Sequence, residues 1–181
     1  LNIRGCSVSM PLKERVIDFI DELDESARKT EAVNTILNRD GALIGFNTDL
    51  YGAKKALSKY DIANKEVLII GAGGVSKAIT NAILELDGNI TIINRTNKTS
   101  EDLSKKLNVK FLSWDKLDSL DGHMLINTTS VGMCDESKMI VSEETIDRFE
   151  AIMDVVVDPR LSKLIRVSSA KEKYIIRGIE M

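Results

Sequence analysis

Val67-Leu68-Ile69-Ile70-Gly71-Ala72-Gly73-Gly74-Val75 is an apolar run that enters a glycine-rich turn and then a helical pattern. A short strand, a glycine turn and a helix N-terminus together form a cradle for a pyrophosphate. The glycines allow a tight turn and a close backbone approach, and the helix end offers unpaired N–H groups and the positive end of its dipole. Ser76 stands where the standard fingerprint has its third glycine, and Ser76 and Ala78 are small enough to keep the helix close to the sheet. About twenty residues after the loop, where an acid would bind a ribose 2′-hydroxyl, the chain reads Asn94-Arg95-Thr96, with Lys98 beyond. An arginine suits a 2′-phosphate. The expected ligand is therefore NADP, with NAD possible, held by Gly71, Ala72, Gly73, Gly74, Val75, Asn94, Arg95, Thr96 and Lys98.

From this point strand and helix patterns alternate. Strands are predicted at 66–70, 90–93, 109–112, 123–127, 151–157 and 174–177, and helices at 75–86, 99–107, 142–149 and 161–171. Such alternation implies parallel pairing and a doubly wound α/β sheet of Rossmann type, with ligands at the carboxyl ends of the strands.

Composition excludes several classes. The 181 residues carry 25 Lys and Arg against 28 Asp and Glu, a net charge of −3, with no basic field for nucleic acid. No apolar run is long enough to span a bilayer. Cys6 and Cys134 lack metal-ligand spacing, so no metal is expected, and their scarcity suggests a cytoplasmic protein. His123 is the lone histidine and leads into an apolar strand, which makes a histidine-based mechanism improbable.

The first sixty residues have a different texture. A helix is predicted from about Leu12, with Val16, Phe19, Ile20 and Leu23 on one face. Two alternating runs, 32–38 and 42–48, meet at Asp40-Gly41, a strong hairpin signal. Such a hairpin brings Asn34 near Asn47 and Asp49 at its open end, on a shared face if the loop has two residues. The expected division is a substrate-binding and catalytic unit at 1–56, a nucleotide-binding unit at 57–175, and a return toward the first unit at 176–181. Oxidising an alcohol with a nicotinamide requires a group to take the hydroxyl proton. Without a histidine, that leaves lysine, tyrosine or a carboxylate. Lys13, at a helix start where a surface lysine gains nothing from the dipole, and Asp49, which closes the hairpin, are the candidates.

A resemblance runs through these motifs. Gly5-Cys6-Ser7-Val8-Ser9-Met10-Pro11-Leu12-Lys13 resembles the G-x-N-V-T-x-P-x-K segment of the shikimate dehydrogenase family. Ala32-Val33-Asn34-Thr35 and Gly45-Phe46-Asn47-Thr48-Asp49 are similar to its A-V-N-T and G-x-N-T-D. The glycine loop, Asn94-Arg95-Thr96, Asn127-Thr128-Thr129-Ser130-Val131-Gly132-Met133 and Asp154-Val155-Val156-Val157-Asp158-Pro159 follow in the family's order, across nearly the whole chain.

The resemblance implies a reversible NADP-dependent oxidation of a ring hydroxyl on shikimate, or on an analogue such as quinate, as in the chorismate pathway of aromatic amino acid biosynthesis. Lys13 and Asp49 would form the catalytic pair, the lysine moving the proton while the aspartate orients it and binds a neighbouring hydroxyl. Ser9, Asn34 and Val157 would contact substrate. Thr128, Thr129 and Ser130 would support the nicotinamide half, with Val155 and Gly178 close by.

The departures bear on the substrate. Ser7 and Ser9 replace the usual asparagine and threonine, Val157 stands where many members carry tyrosine, and Glu180 falls where glycine is common. The Ser-Val-Ser-Met-Pro wording is nearer the shikimate dehydrogenase-like branch. A Ser-x-Ser carboxylate-binding segment would precede Leu1 and a glutamine would follow Met181, so the chain reads as truncated at both ends. The expected partner is a small polyhydroxy carboxylate, with no nucleic acid and no membrane, on a monomer or homodimer. The alternative is a non-catalytic NADP-binding sensor or regulatory protein on the same fold. Retention of Lys13, Asn34 and Asp49 together argues against that alternative.

Overall fold

The computed structural model describes residues 3–181, with the side chains of all of these except Asn97, Thr99, Ser100 and Asp118. The expected start of the first unit, at residues 1 and 2, lies outside the described residues. In chain order the first elements are β1 (Gly5–Ser7), β2 (Glu22–Leu23), α1 (Glu25–Thr30), β3 (Thr35–Arg39), β4 (Ala42–Phe46) and α2 (Thr48–Leu57). They are followed by β5 (Glu66–Ile70), α3 (Gly74–Leu84), β6 (Asn89–Ile93), α4 (Asn97–Leu107), β7 (Lys110–Leu112) and β8 (Gly122–Asn127). The chain closes with α5 (Glu143–Asp147), β9 (Phe149–Asp154), α6 (Lys163–Ala170) and β10 (Tyr174–Arg177).

Six parallel strands form the larger sheet in the order β10-β9-β8-β5-β6-β7. The chain winds outward from β5 in one direction and, from β8, in the other. The crevice between the ends of β5 and β8 is therefore the switch point where ligands bind in such sheets. Alternate strand residues feed two cores. Val67, Ile69, Ile92, Met124 and Ile126 pack with Ala53, Leu57, Ala78, Ile79 and Ile83 of α2 and α3. Leu68, Ile70, Ile93, Leu125 and Ile152 pack on the other face with Ile146, Phe149 and Leu164. Burial on both faces is why these strands read as unbroken apolar runs.

Strand β9 ends at Asp154, three residues before its expected limit. Asp154 Oδ1 accepts from the backbone N–H of Val156 at 3.1 Å, which turns the chain out of the sheet. Strand β10 includes Ile176 and Arg177, and the buried residues Leu50, Ala53, Ala56 and Leu57 of α2 join the core beneath the larger sheet.

The smaller sheet has the order β1-β3-β4-β2. Its hairpin turns on Asp40 (φ 54°) and Gly41 (φ 99°), the two positive-φ positions of a type I′ loop, with Arg39 opposite Ala42. The helix expected from Leu12 is instead a 3₁₀ turn over Arg15–Phe19 that buries nothing, and Phe19 is 75% exposed. Beyond Ile20 the chain is drawn into the sheet. Asp21 and Asp24 donate their N–H groups to the carbonyls of Leu43 and Gly45 (3.0 and 2.9 Å), and Glu22–Leu23 becomes β2.

Asp24 then caps α1, accepting from the Ser26 N–H (2.9 Å) and hydroxyl (2.6 Å). These bonds, the hydroxyl's first, hold its carboxyl below the usual value. Asp24→Ala is expected to cost about 1 kcal/mol at neutral pH. Because folding lowers this pKa, the stabilisation is present above the unfolded value of about 4 and is lost as the pH falls through the folded value. Urea unfolding at neutral and acid pH checks this: the gap between wild type and variant should shrink in acid, and a constant gap would remove the charge from the account.

Candidate active site

Three short segments bring Lys13, Asn34 and Asp49 together. Val8 donates its N–H to the Asn34 carbonyl and Val33 donates to the Lys13 carbonyl, both at 2.7 Å, so the Ser9–Lys13 turn lies against the run leading into β3. The Lys13 ammonium donates to Asp49 Oδ2 at 2.7 Å, and the Asn34 amide donates to Asp49 Oδ1 at 2.9 Å. Both carboxylate oxygens are held, and the Lys13 and Asp49 side chains are 19% and 23% exposed, within reach of a ligand. Asp49 also sits in the first turn of α2, where the helix dipole favours an anion.

The orientation of Asn34 is fixed by Thr35 and Thr48. Its oxygen accepts from the Thr35 hydroxyl (2.9 Å) and from the Thr48 N–H (2.9 Å), leaving its amide nitrogen toward Asp49. Asn47 does not join this face. Its buried side chain caps α2 by accepting from the Asp49 N–H (3.0 Å) and donates to Thr30 Oγ1 (2.8 Å) and the Ala32 carbonyl (3.0 Å). The Asn47 N–H in turn reaches Ser26 Oγ at 2.9 Å, so the cap of α1 and the cap of α2 support one another. Ser9 and Val157 stand exposed, and among the described residues no hydrogen bond ties either one to this cluster.

The glycine loop follows β5, and a Cβ on Gly74 would lie 3.7 Å from Ala32 Cβ, two residues before Asn34. Gly71 has φ +115°, and a Cβ there would collide with Thr128 Oγ1. Ser76 donates to the Gly71 carbonyl at 2.8 Å, so the residue in place of the third glycine closes the loop by a side-chain bond. Gly73 is the N-cap of α3, with no side-chain cap, and nothing lies within 4 Å of where its Cβ would be. This is an open cradle above uncapped helix N–H groups, which fits a pyrophosphate. Ala72 is buried beneath it, and Gly74 and Val75 form the first turn of α3. Beyond β6, Arg95, Thr96 and Lys98 are exposed side by side, and Asn94 donates to the Thr96 carbonyl at 3.2 Å.

The opposite wall follows β8 and β9. Thr128 donates its hydroxyl to the Ile70 carbonyl (2.8 Å), Thr129 donates to Asn127 Oδ1 (2.7 Å), and Ser130 is exposed. Val155 and Gly178 are in contact, since a Cβ on Gly178 would overlap the Val155 carbonyl. Beneath them Asp154 is fully buried, and its burial pushes the carboxyl up against hydrogen bonds that favour the charged form. Among the described residues no group of three or more His, Cys, Asp or Glu side chains could hold a metal ion, and no helix is long and apolar enough to cross a membrane.

Sequence reasoning left out Thr48, Asn47 as a cap, and the buried set Asn127, Asp154 and Ser162. Asn47 carried a usable signal, since Asn directly before a helical pattern is a standard N-cap. In the buried set Asn127 and Asp154 each head a quoted motif, but nothing local signals that they meet Ser162, because the three are 27 and 8 residues apart in sequence.

Comparison with known proteins agrees in both halves of the chain. A sequence model described as the shikimate dehydrogenase substrate binding domain matches residues 1–36, and one described as shikimate / quinate 5-dehydrogenase matches residues 52–162. The shikimate dehydrogenase (NADP(+)) of Pyrococcus abyssi is 41% identical over 100% of this chain and 69% of its own length. The shikimate 5-dehydrogenase of Thermus thermophilus, solved with NADP(H) and shikimate, superimposes with a TM-score of 0.88 at 30% identity, over 99% of this chain and 68% of its own. The shikimate 5-dehydrogenase-like protein HI0607 gives 0.88 at 34% identity, over 98% and 67%. The chain thus spans 67–69% of the length of these relatives. With the two halves matched in order, and the alignment running the full length of the sequence, this chain belongs to the shikimate / quinate 5-dehydrogenase family.

Proposed function

We propose that this chain carries the NADP-dependent oxidoreductase chemistry of its relatives: 3-dehydroshikimate + NADPH + H⁺ interconverting with shikimate + NADP⁺, or the same reaction on a close analogue such as quinate. The observation that carries the reading is the Lys13–Asp49–Asn34 cluster, with contacts of 2.7 and 2.9 Å, in a fold that also holds an open glycine cradle at the switch point. The bound nicotinamide supplies the hydride acceptor. In the oxidation direction Lys13, entering as the neutral amine, takes the hydroxyl proton and becomes the ammonium as the carbinol carbon gives up its hydride; in reduction the Lys13 ammonium returns that proton to the developing alkoxide. Asp49 holds the Lys13 Nζ in place and offers an oxygen to the neighbouring ring hydroxyl, while Asn34, aimed by Thr35 and Thr48, presents its amide. Ser9 and Val157 are proposed to line the substrate side. Gly71 to Val75 are proposed to hold the pyrophosphate, and Thr128, Thr129, Ser130, Val155 and Gly178 the nicotinamide half. A cytoplasmic setting accords with two exposed free thiols, Cys6 and Cys134.

The test follows NADPH formation by the full-length protein with NADP⁺ and, separately, shikimate and quinate. Turnover with either acid supports the reading and ranks the substrates; tight NADP⁺ binding without turnover of either would replace it with the sensor. Arg95, Thr96 and Lys98 are proposed to read the 2′-phosphate. Arg95→Ala should weaken NADP⁺ binding by about 1–3 kcal/mol through lost charge-assisted bonds, with NAD⁺ much less affected. Equal weakening of both cofactors, measured by titration, would show that Arg95 does not distinguish them.

A further inference from the structure

A buried charge is retained only where hydrogen bonds compensate for its desolvation. Asp154, fully buried at the carboxyl end of β9, takes no part in the proton chemistry proposed above. Its Oδ1 accepts from Asn127 Nδ2 (3.0 Å) and from the Val156 N–H (3.1 Å), and its Oδ2 from the Ser162 hydroxyl (2.5 Å). Ser162 Oγ accepts in turn from the Ile165 N–H at the start of α6 (3.3 Å). On the other side, Asn127 Oδ1 accepts from the Thr129 N–H (3.0 Å) and hydroxyl (2.7 Å), and Thr129 Oγ1 accepts from the Val131 N–H (3.2 Å). One continuous line of bonds therefore runs from the N-terminus of α6, through the carboxylate, into the Thr128–Val131 turn. Donation runs inward from both ends, and Asp154 is its final acceptor.

We propose that Asp154 is a positioning residue which, acting through Asn127 and Ser162, sets the Thr128–Val131 turn and the Val155 backbone in the arrangement the nicotinamide half requires. This rests on the NADP reading above. The turn faces the glycine loop directly, because Thr128 is bonded to the Ile70 carbonyl and lies against Gly71. Val155 donates its N–H to the Asn127 carbonyl at 3.1 Å and packs against Gly178, so the same carboxylate supports both segments of the wall built on β8 and β9. The Arg95 end of the nucleotide site lies beyond β6, on the far side of β5. Loss of Asp154 should therefore damage one half of the cofactor site and spare the other.

The experiment compares Asp154→Ala, Asp154→Asn and wild type in the full-length protein. Adenosine 2′,5′-bisphosphate serves as a probe of the adenine half alone. Asp154→Ala is expected to lower kcat by about 10–100-fold and raise KM for NADP⁺ about tenfold, the scale of a misplaced reacting group. Affinity for the bisphosphate and KM for the acid substrate should stay within about twofold of wild type on the same grounds. Asp154→Asn should recover most of kcat. Its oxygen can accept from Asn127 and Val156 while its amide donates to Ser162 Oγ. Should Asp154→Ala fail to fold, Thr129→Val cuts the same line at its outer end and should give the same split on a smaller scale. Equal losses in bisphosphate and NADP⁺ affinity, no rescue by asparagine, or unchanged kinetics in a normal enzyme would each overturn this inference alone. A wild type that binds neither NADP⁺ nor the bisphosphate overturns the NADP reading and this inference with it.

Discussion

Lys13→Met is expected to lower kcat by about 10²–10⁴-fold, the range for removal of a general acid–base group, and to leave NADP⁺ affinity unchanged. The reasoning is geometric. Lys13 Nζ, the proposed proton carrier, lies 2.7 Å from Asp49 Oδ2 in a half-buried site. Methionine keeps the length and the packing of the stem but carries no proton. The cofactor cradle starts at Gly71, on a different sheet, and Lys13 makes no hydrogen bond to it among the described residues. KM for the acid substrate should rise only several-fold, because Asp49 and Asn34 remain to hold the ring hydroxyls. Losing Lys13 also leaves a partly buried carboxylate without its partner, so Asp49→Asn on top of Lys13→Met should not compound the loss in full, as two members of one unit. Steady-state kinetics at saturating NADP⁺ decide the matter. A kcat within about threefold of wild type would exclude Lys13 as the proton carrier.

Gly71→Ala should be the most damaging of the small substitutions in the nucleotide loop, costing about 2–4 kcal/mol of stability. Two effects add. At φ +115° an L side chain is strained, and its Cβ would meet the Thr128 hydroxyl. That hydroxyl cannot move aside without giving up its bond to the Ile70 carbonyl. Gly73→Ala supplies the contrast. Its φ is −86° and nothing lies within 4 Å of a Cβ, so the free protein should keep its stability. NADP⁺ affinity should nonetheless fall, because the new methyl occupies the open side of the cradle. Relieving only the collision, with Thr128→Ala beside Gly71→Ala, should restore part of the lost stability and leave the backbone share. Urea unfolding and NADP⁺ titration of the four proteins check all of this. A Gly71→Ala variant within about 0.5 kcal/mol of wild type would show that the loop relaxes freely.

Much of this was legible in the sequence, and the reason is local. The central strands of the larger sheet, Val67–Ile70 of β5 and Met124–Ile126 of β8, are buried on both faces and so read as unbroken apolar runs. The hairpin announces itself by Asp40-Gly41, and the glycine loop by Gly71, whose φ of +115° no other residue adopts cheaply. The errors arose where distant chain overrode local pattern. The apolar spacing from Leu12 to Leu23 reads as a helix, yet β4 offers Leu43 and Gly45 carbonyls that draw residues 21–24 into a sheet. The run 151–157 reads as one strand, yet the Asp154 carboxylate bonds the Val156 N–H and ends it.

The same division holds at the site. Sequence alone determined the doubly wound sheet and the glycine loop between β5 and α3, and it marked Arg95, Lys13, Asn34 and Asp49 as candidates, because each lies in a short motif with its own chemistry. Only the tertiary structure decided that Asn47 turns inward to cap α2 while Thr48 and Thr35 aim Asn34. It alone joined Asn127, Asp154 and Ser162 into one buried line. Hydrogen bonds between residues far apart in the chain depend on where the backbone brings their atoms to within about 3 Å. No local pattern encodes that distance; the packing of the two sheets and their helices sets it.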